Sequence, residues 1–178
     1  MAVLGPTIGE ISKNYDVIFR PDFVGAEVGE WTEHDTKIPE GMKAYYLKAD
    51  TGPRYLLGSI LSRPFITIAQ NNGQFSITSI ESSSILGGNV LKHGLSFKRV
   101  HQVYCVLDEM ILVTVDGHVG QVEVGEIIFI PSGMYVTVRF QSKYVTFWSY
   151  GSGDGLEKLI EEAGGLLRVL LYLMRPGK

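Results

Sequence analysis

One cysteine, Cys105, is all that 178 residues provide, which excludes an internal disulfide and any cysteine-rich zinc cluster and fits a reducing compartment. No run of lysines or arginines occurs. The 16 basic residues are scattered against 19 acidic ones for a net charge of −3, so the footprint that nucleic acid demands is missing. No stretch is long and apolar enough to cross a bilayer: LLRVLLYLM, 166–174, contains Arg168 and falls far short of the roughly 20 residues required. The opening MAVLGPTIGEISKNYDVIF has no basic segment followed by an apolar run and a cleavage site, so a cytoplasmic location is expected. A G-x-S-x-G elbow, a P-loop and a dinucleotide fingerprint are all absent, and Gly151-Ser-Gly-Asp-Gly155 lacks the lysine and threonine of a phosphate loop, which removes the usual hydrolase, kinase and dehydrogenase readings.

Short β-branched and aromatic runs alternating with turn signals fill the middle of the chain. YYLKA, RYLLGSILS and FITIAQ lead to the turn NNG and then FSITSIES; VYCVL and MILVTV lead to Asp116-Gly117, then QVEVGEIIFI, YVTVRF and KYVTFWSY. Asp-Gly between alternating runs marks a hairpin whose two central residues take positive φ. Many short strands at regular spacing predict an all-β domain, a sandwich or closed barrel that hides its sheet edges. DGLEKLIEEAGG predicts a short C-terminal helix, with Asp154 as cap, Leu156, Leu159, Ile160 and Ala163 as the buried stripe and Gly164-Gly165 as the stop. One domain is expected, organised as an N-terminal arm over 1–44, a barrel over 45–153 and a helix and tail over 154–178. The Gly- and Pro-rich arm and the apolar tail together predict a homodimer.

The stretch Gly125-Glu-Ile-Ile-Phe-Ile-Pro131-Ser-Gly133 resembles the second cupin motif: glycine, five residues, proline, one residue, glycine. HQVYCVLDEMILVTVDG resembles the strand pair of the first motif, and the two blocks lie in cupin order. RPFITIAQNNGQFSITSIESS before them and VTFWSYGSGDGLEKLIEEAGG after them are similar to the flanks of fungal quercetin 2,3-dioxygenase-type cupins, which extends the resemblance over 45–165. It implies a jelly-roll barrel (double-stranded β-helix) with a metal held near one end by three histidines and a glutamate. Aligned on VYCVL, this chain has Leu95 and Phe97 at the paired histidines, Gln102 at the glutamate and Val136 at the last histidine. Leucine, phenylalanine and valine have no lone pair to give, and a neutral glutamine anchors a divalent cation poorly. No metal and no other cofactor are therefore expected. Sliding the strand by one residue instead puts His101 at the glutamate, with His93 and Ser96 nearby.

An apolar barrel centre suits a flat aromatic or polyketide-derived molecule. Strand alternation turns Gln102 and Tyr104 inward with Leu95, Phe97, Val136 and Val138, sets Lys98 at the rim, and adds Tyr46 and Trp148 to the expected substrate contacts. His101 alternates outward on that register; turned inward it would carry a proton. His34 and His118 are expected at the surface. Gln102 and Tyr104 as donors make cyclisation, isomerisation or dehydration reachable without a metal. Two alternatives stand beside this metal-independent enzyme of secondary metabolism: a dioxygenase with non-standard ligands such as His93 and His101, and a non-enzymatic binding cupin. Fold alone does not choose among them.

Overall fold

The computed structural model describes residues 37–49 and 51–166, all of which belong to one compact unit. Most of the expected N-terminal arm, His34 and nearly all of the apolar tail lie outside the described residues. Strands β1 (Tyr55–Leu57), β2 (Ile60–Ile66), β3 (Ser76–Ser82), β4 (Gln102–Asp108), β5 (Met110–Val115), β6 (His118–Glu123), β7 (Ile127–Ile130), β8 (Val136–Phe140) and β9 (Val145–Gly151) precede helix α1 (Leu156–Ala163) and the short β10 (Gly165–Leu166). They form a seven-stranded sheet, β10-β1-β2-β3-β9-β4-β7, and a three-stranded sheet, β6-β5-β8, whose pairings are antiparallel throughout. The all-β class and the short C-terminal helix are as expected.

Local chemistry accounts for the corners. Asp116 (φ 43°) and Gly117 (φ 86°) both take positive φ between β5 and β6, the conformation that a two-residue hairpin needs to match the strand twist. Pro64 gives β2 no donor, and the β2–β3 register shifts between Pro64 and Ile66, as a proline inside a strand requires. The runs YYLKA and FITIAQ behave differently from expectation. No strand forms over 45–49, where the Lys48 carbonyl accepts from Arg63 Nη2 (2.8 Å), so a guanidinium takes the place of a ladder partner. After Ile66 the chain turns into a 3-10 segment, Ile68–Gln70, in which the Gln70 side chain accepts the Thr67 N–H at 2.9 Å.

The core draws on every layer. Ile60, Ile80, Tyr104, Val106 and Phe147 from the large sheet meet Ile111, Val113, Val136 and Val138 from the small one, with Leu156 and Ile160 from α1. The helix differs from its expected form in two ways. Its N-cap is Gly155, not Asp154, and glycine has no side chain to cap with; Glu157 Oε1 reaches back to accept the Gly155 N–H at 2.9 Å. Its buried face is accordingly Leu156, Glu157 and Ile160, while Leu159 and Ala163 are exposed.

Candidate functional site

Strand pairing lines up three rows on the inner face of the large sheet. Ser76 and Gln102 flank Gly151; Thr78 and Tyr104 flank Ser149; Ile80 and Val106 flank Phe147. The inner face therefore runs from apolar at Phe147 to polar at Gly151. Ser62 continues the polar side, its hydroxyl 2.8 Å from Thr78 Oγ1. Ser149 Oγ donates to Gln102 Oε1 at 3.1 Å, and Ser76 Oγ donates to the Gly153 carbonyl at 2.7 Å.

The first turn of α1 closes this end. A Cβ on Gly155 would lie 2.9 Å from Glu157 Oε2, 3.0 Å from Gln102 Nε2 and 3.3 Å from Ser76 Oγ. Three polar side chains from β3, β4 and α1 thus converge over one bare α-carbon, and only glycine leaves them room. Glu157 is 3% exposed, and burial pushes its carboxyl above the usual range, partly offset by the Gly155 N–H on Oε1 and by the nearby Ser76 hydroxyl, whose own proton goes to the Gly153 carbonyl. Burial also pushes the Tyr104 phenol well up, so it stays a neutral donor. Gln102 Nε2, Tyr104 Oη and Glu157 Oε2 are all buried without a hydrogen-bond partner. Each such atom costs about 1–3 kcal/mol when left unmade.

The expected site residues divide into two groups. Gln102 and Tyr104 face inward on β4; Val136 and Val138 are buried, and Leu95 and Phe97 pack against the same core. Leu95 bridges Val136 through paired backbone bonds of 2.9 and 2.8 Å. The second group faces away. His101 is exposed, stacks on Phe129 (centroids 5.8 Å apart) and accepts the Ser132 N–H on Nδ1 at 3.1 Å. Trp148 lies on the outer face of β9 beside Phe65, centroids 6.1 Å apart, because its neighbours Phe147 and Ser149 face in. Lys98 and Tyr46 are exposed, and so is His118. The barrel interior is not uniformly apolar, as the residue replacements led one to expect: Ser62, Ser76, Thr78, Ser149 and Glu157 make half of it polar. None of these five was expected at the site; Glu157 entered the sequence reading only as the residue three after the expected Asp154 cap. Alternation in SITSIES, with Ser76 and Thr78 on the face of Ile80, and the helical spacing of Glu157 and Ile160 were the signals that could have found them.

The residues present do not fit a divalent cation at Leu95, Phe97, Gln102 and Val136. Gln102 is the single lone-pair donor there, and its oxygen already accepts from Ser149. Among the described residues no group of three or more His, Cys, Asp or Glu comes together in the way a metal site requires.

No family model matches the chain. A curated relative, quercetin 2,3-dioxygenase of Bacillus subtilis (strain 168), is 31% identical over 111 residues, which are 61% of this chain. The chain spans only 31% of that relative's length. Among solved structures, KdgF from Halomonas sp. matches with a TM-score of 0.53 at 8% identity, covering 64% of this chain and 98% of that one. An RmlC-like cupin from Shewanella frigidimarina NCIMB 400 matches at 15% identity with a TM-score of 0.48, over 63% of this chain and 92% of that one. The fold is an all-β, cupin-type one, shared with KdgF. Within this cupin barrel the second-motif glycines do structural work. Gly125 (φ 82°) and Gly133 (φ 87°) bracket β7; the Gly125 N–H donates to the Val106 carbonyl at 2.9 Å and the Gly133 N–H to the Phe97 carbonyl at 2.8 Å. They fasten β7 against β4 and the 95–97 segment, and so hold Gln102 opposite the helix.

Proposed function

We propose that the chain binds a small aromatic or polyketide-derived molecule in its cupin barrel and moves a proton on it, in an isomerisation, cyclisation or dehydration, without a metal. The observation that carries this reading is a set of three buried, unpartnered polar atoms in the barrel: Gln102 Nε2 and Glu157 Oε2, which meet over Gly155, and Tyr104 Oη, two residues along β4 from Gln102. Two are donors, suited to the oxygen of a carbonyl becoming an enolate. The third belongs to a carboxyl raised toward the range in which a base works at neutral pH. Glu157 thus takes the proton-carrying part that His101, on the outer face, does not reach. Leu95, Phe97, Val136 and Val138 supply the apolar wall. Tyr104 is fully buried, so a guest meets these atoms only when the barrel opens.

The test uses benzoylacetone, an enolisable aromatic diketone. In heavy water a C–H bond breaks, the proton passes to Glu157, the enolate oxygen is held by Gln102 and Tyr104, and deuterium returns to carbon from the exchanged carboxyl. The chain is expected to accelerate exchange by at least about 100-fold, the lower range for a positioned base, with chelator present. Gln102→Ala and Glu157→Gln should each remove most of that gain. Acceleration that needs added iron, copper or manganese would overturn the metal-free reading, and full activity in both variants would overturn the site.

The likeness to quercetin 2,3-dioxygenase favours one second reading, a dioxygenase with unusual ligands. His93 and His101 would have to supply it. Oxygen uptake on quercetin that disappears in both His93→Ala and His101→Ala is its expected signature.

Self-association completes the proposal. Among the described residues strand β7 is an edge of the large sheet and exposes Ile127 (66%) and Phe129 (57%), a ladder side with apolar side chains that suits pairing with a second copy. Light scattering is expected to give the mass of two chains at micromolar concentration and of one chain for Phe129→Lys. A monomeric unmodified chain rejects the dimer.

A further inference from the structure

A second site lies away from the polar end of the barrel. The loop after β3 and the 3-10 turn Val90–His93 stand beside the end of β8 and leave a groove of about 550 Å³, within the range of small-molecule pockets. Lys92, His93 and Arg139 line it together with Ser83, Leu86 and Phe140, and among the described residues no aspartate or glutamate does. Among the described residues, none of the three basic side chains has a carboxylate within ion-pair distance. A chain of net charge −3 thus gathers three uncompensated nitrogen donors on one concave surface. Two permanent cations, Lys92 and Arg139, on one concave surface make a positive local potential that favours an anion there.

The backbone that carries two of the donors is held in place before any ligand arrives. Asn89 accepts the Leu91 N–H on Oδ1 at 3.0 Å and donates from Nδ2 to the Val138 carbonyl at 3.0 Å, which ties the turn to β8. Leu91 is buried in the core. The Tyr135 hydroxyl donates to the His93 carbonyl. The turn that presents Lys92 and His93 is therefore pinned from both sides, and Arg139 comes from the adjoining strand. A pinned turn has less backbone entropy to lose on binding than a free loop.

We propose that this groove binds an organic anion, its carboxylate held by the Arg139 guanidinium with Lys92 and His93 beside it, and its apolar body lying against Leu86 and Phe140. A guanidinium fork matches a carboxylate in two parallel hydrogen bonds, which a point charge does not. The mixed lining separates this class from a bare inorganic ion: serine hydroxyls and cations on one side, leucine and phenylalanine on the other. The groove shares no lining residue with Gln102, Tyr104 and Glu157, so it stands whether or not the interior site is catalytic.

The experiment titrates the full chain with 1-naphthoate, followed by calorimetry and by backbone amide signals. The expected result is saturable binding that weakens with added salt and moves the signals of 83–93 and 139–140. Arg139→Gln should weaken it at least 10-fold, Lys92→Ala several-fold, and Lys43→Ala, which removes an equal charge elsewhere, not at all. The neutral 1-naphthamide should not bind. The assignment is overturned if the amide binds as well as the acid, if Arg139→Gln binds as well as the unmodified chain, or if inorganic phosphate binds as tightly as naphthoate. It is overturned too if the signals that move are those around Gln102 and Tyr104 alone, an outcome that would instead support the interior reading.

Discussion

Replacing Tyr104 with alanine is expected to lower the stability of the chain by about 3–5 kcal/mol, the usual cost of deleting a buried aromatic ring, seen as a Tm lower by roughly 6 °C or more. The ring is wholly buried and meets the Phe147 ring at 5.2 Å between centroids; Phe147 in turn meets Phe140 at 6.4 Å. Alanine would remove one end of a run of three rings that reaches from the large sheet to the small one, and close-packed neighbours relax only partly into such a space. Tyr104→Phe is expected to do the reverse. It keeps the ring and removes a hydroxyl that has no partner, which should leave stability unchanged or raise it by about 1 kcal/mol. Chemical denaturation of both variants checks the pair. A Tyr104→Phe protein as unstable as Tyr104→Ala would mean that the hydroxyl is held by a group other than a guest. If it is stable yet slow on benzoylacetone, the hydroxyl serves the reaction and not the fold.

The second large effect concerns pH. Burial raises the Glu157 carboxyl above its ordinary value of 4.5, so between that value and its own the folded chain binds a proton that the unfolded chain has lost. Over that window stability falls as pH rises. The contribution from Glu157 is complete at pH values below the ordinary carboxyl range and is lost as the pH climbs through the raised value. Glu157→Gln keeps an oxygen for the Gly155 N–H and cannot ionise. It is expected to match the unmodified protein near pH 4 and to be more stable than it at pH 8, by about 1 kcal/mol or more, the cost of an unpartnered buried atom. Melting temperatures across pH 4–8 provide the check. A difference between the two proteins that does not change with pH, or that favours the unmodified chain at pH 8, would show that Glu157 stays ionised with its charge fully compensated.

Alternation made β4 readable in advance. VYCVL has to place Gln102, Tyr104 and Val106 on one face, and once they are inside, His101 is outside. Asp116-Gly117 was equally readable, since its chemistry specifies the turn and the turn sets the register of β5 on β6. Residue type misled where it was weighed above position. Trp148 looked like a contact for a flat ring, yet it stands between two inward residues and so has to face out. The polar half of the interior stayed hidden because its members are small. Serines at alternate positions of SITSIES do not say which face of the strand is buried until their pairing with β9 is known, and that pairing is long-range. Glu157 was hidden for another reason. A carboxylate in a first helical turn is ordinarily satisfied by the helix N-terminus in water, and only docking of α1 on the sheet turns it inward.

Strand β9 lies between β3 and β4 in the large sheet, although β4 follows β3 in the chain and β9 comes after both. During synthesis β3 and β4 must wait, each with one ladder side open, until residues as late as Gly151 have left the ribosome. Closure of the barrel is then a single late event and not a stepwise growth, and such non-local pairing folds in milliseconds to seconds rather than microseconds. The half-made chain is thus the state most exposed to aggregation, and a nascent-chain holdase would act during that interval.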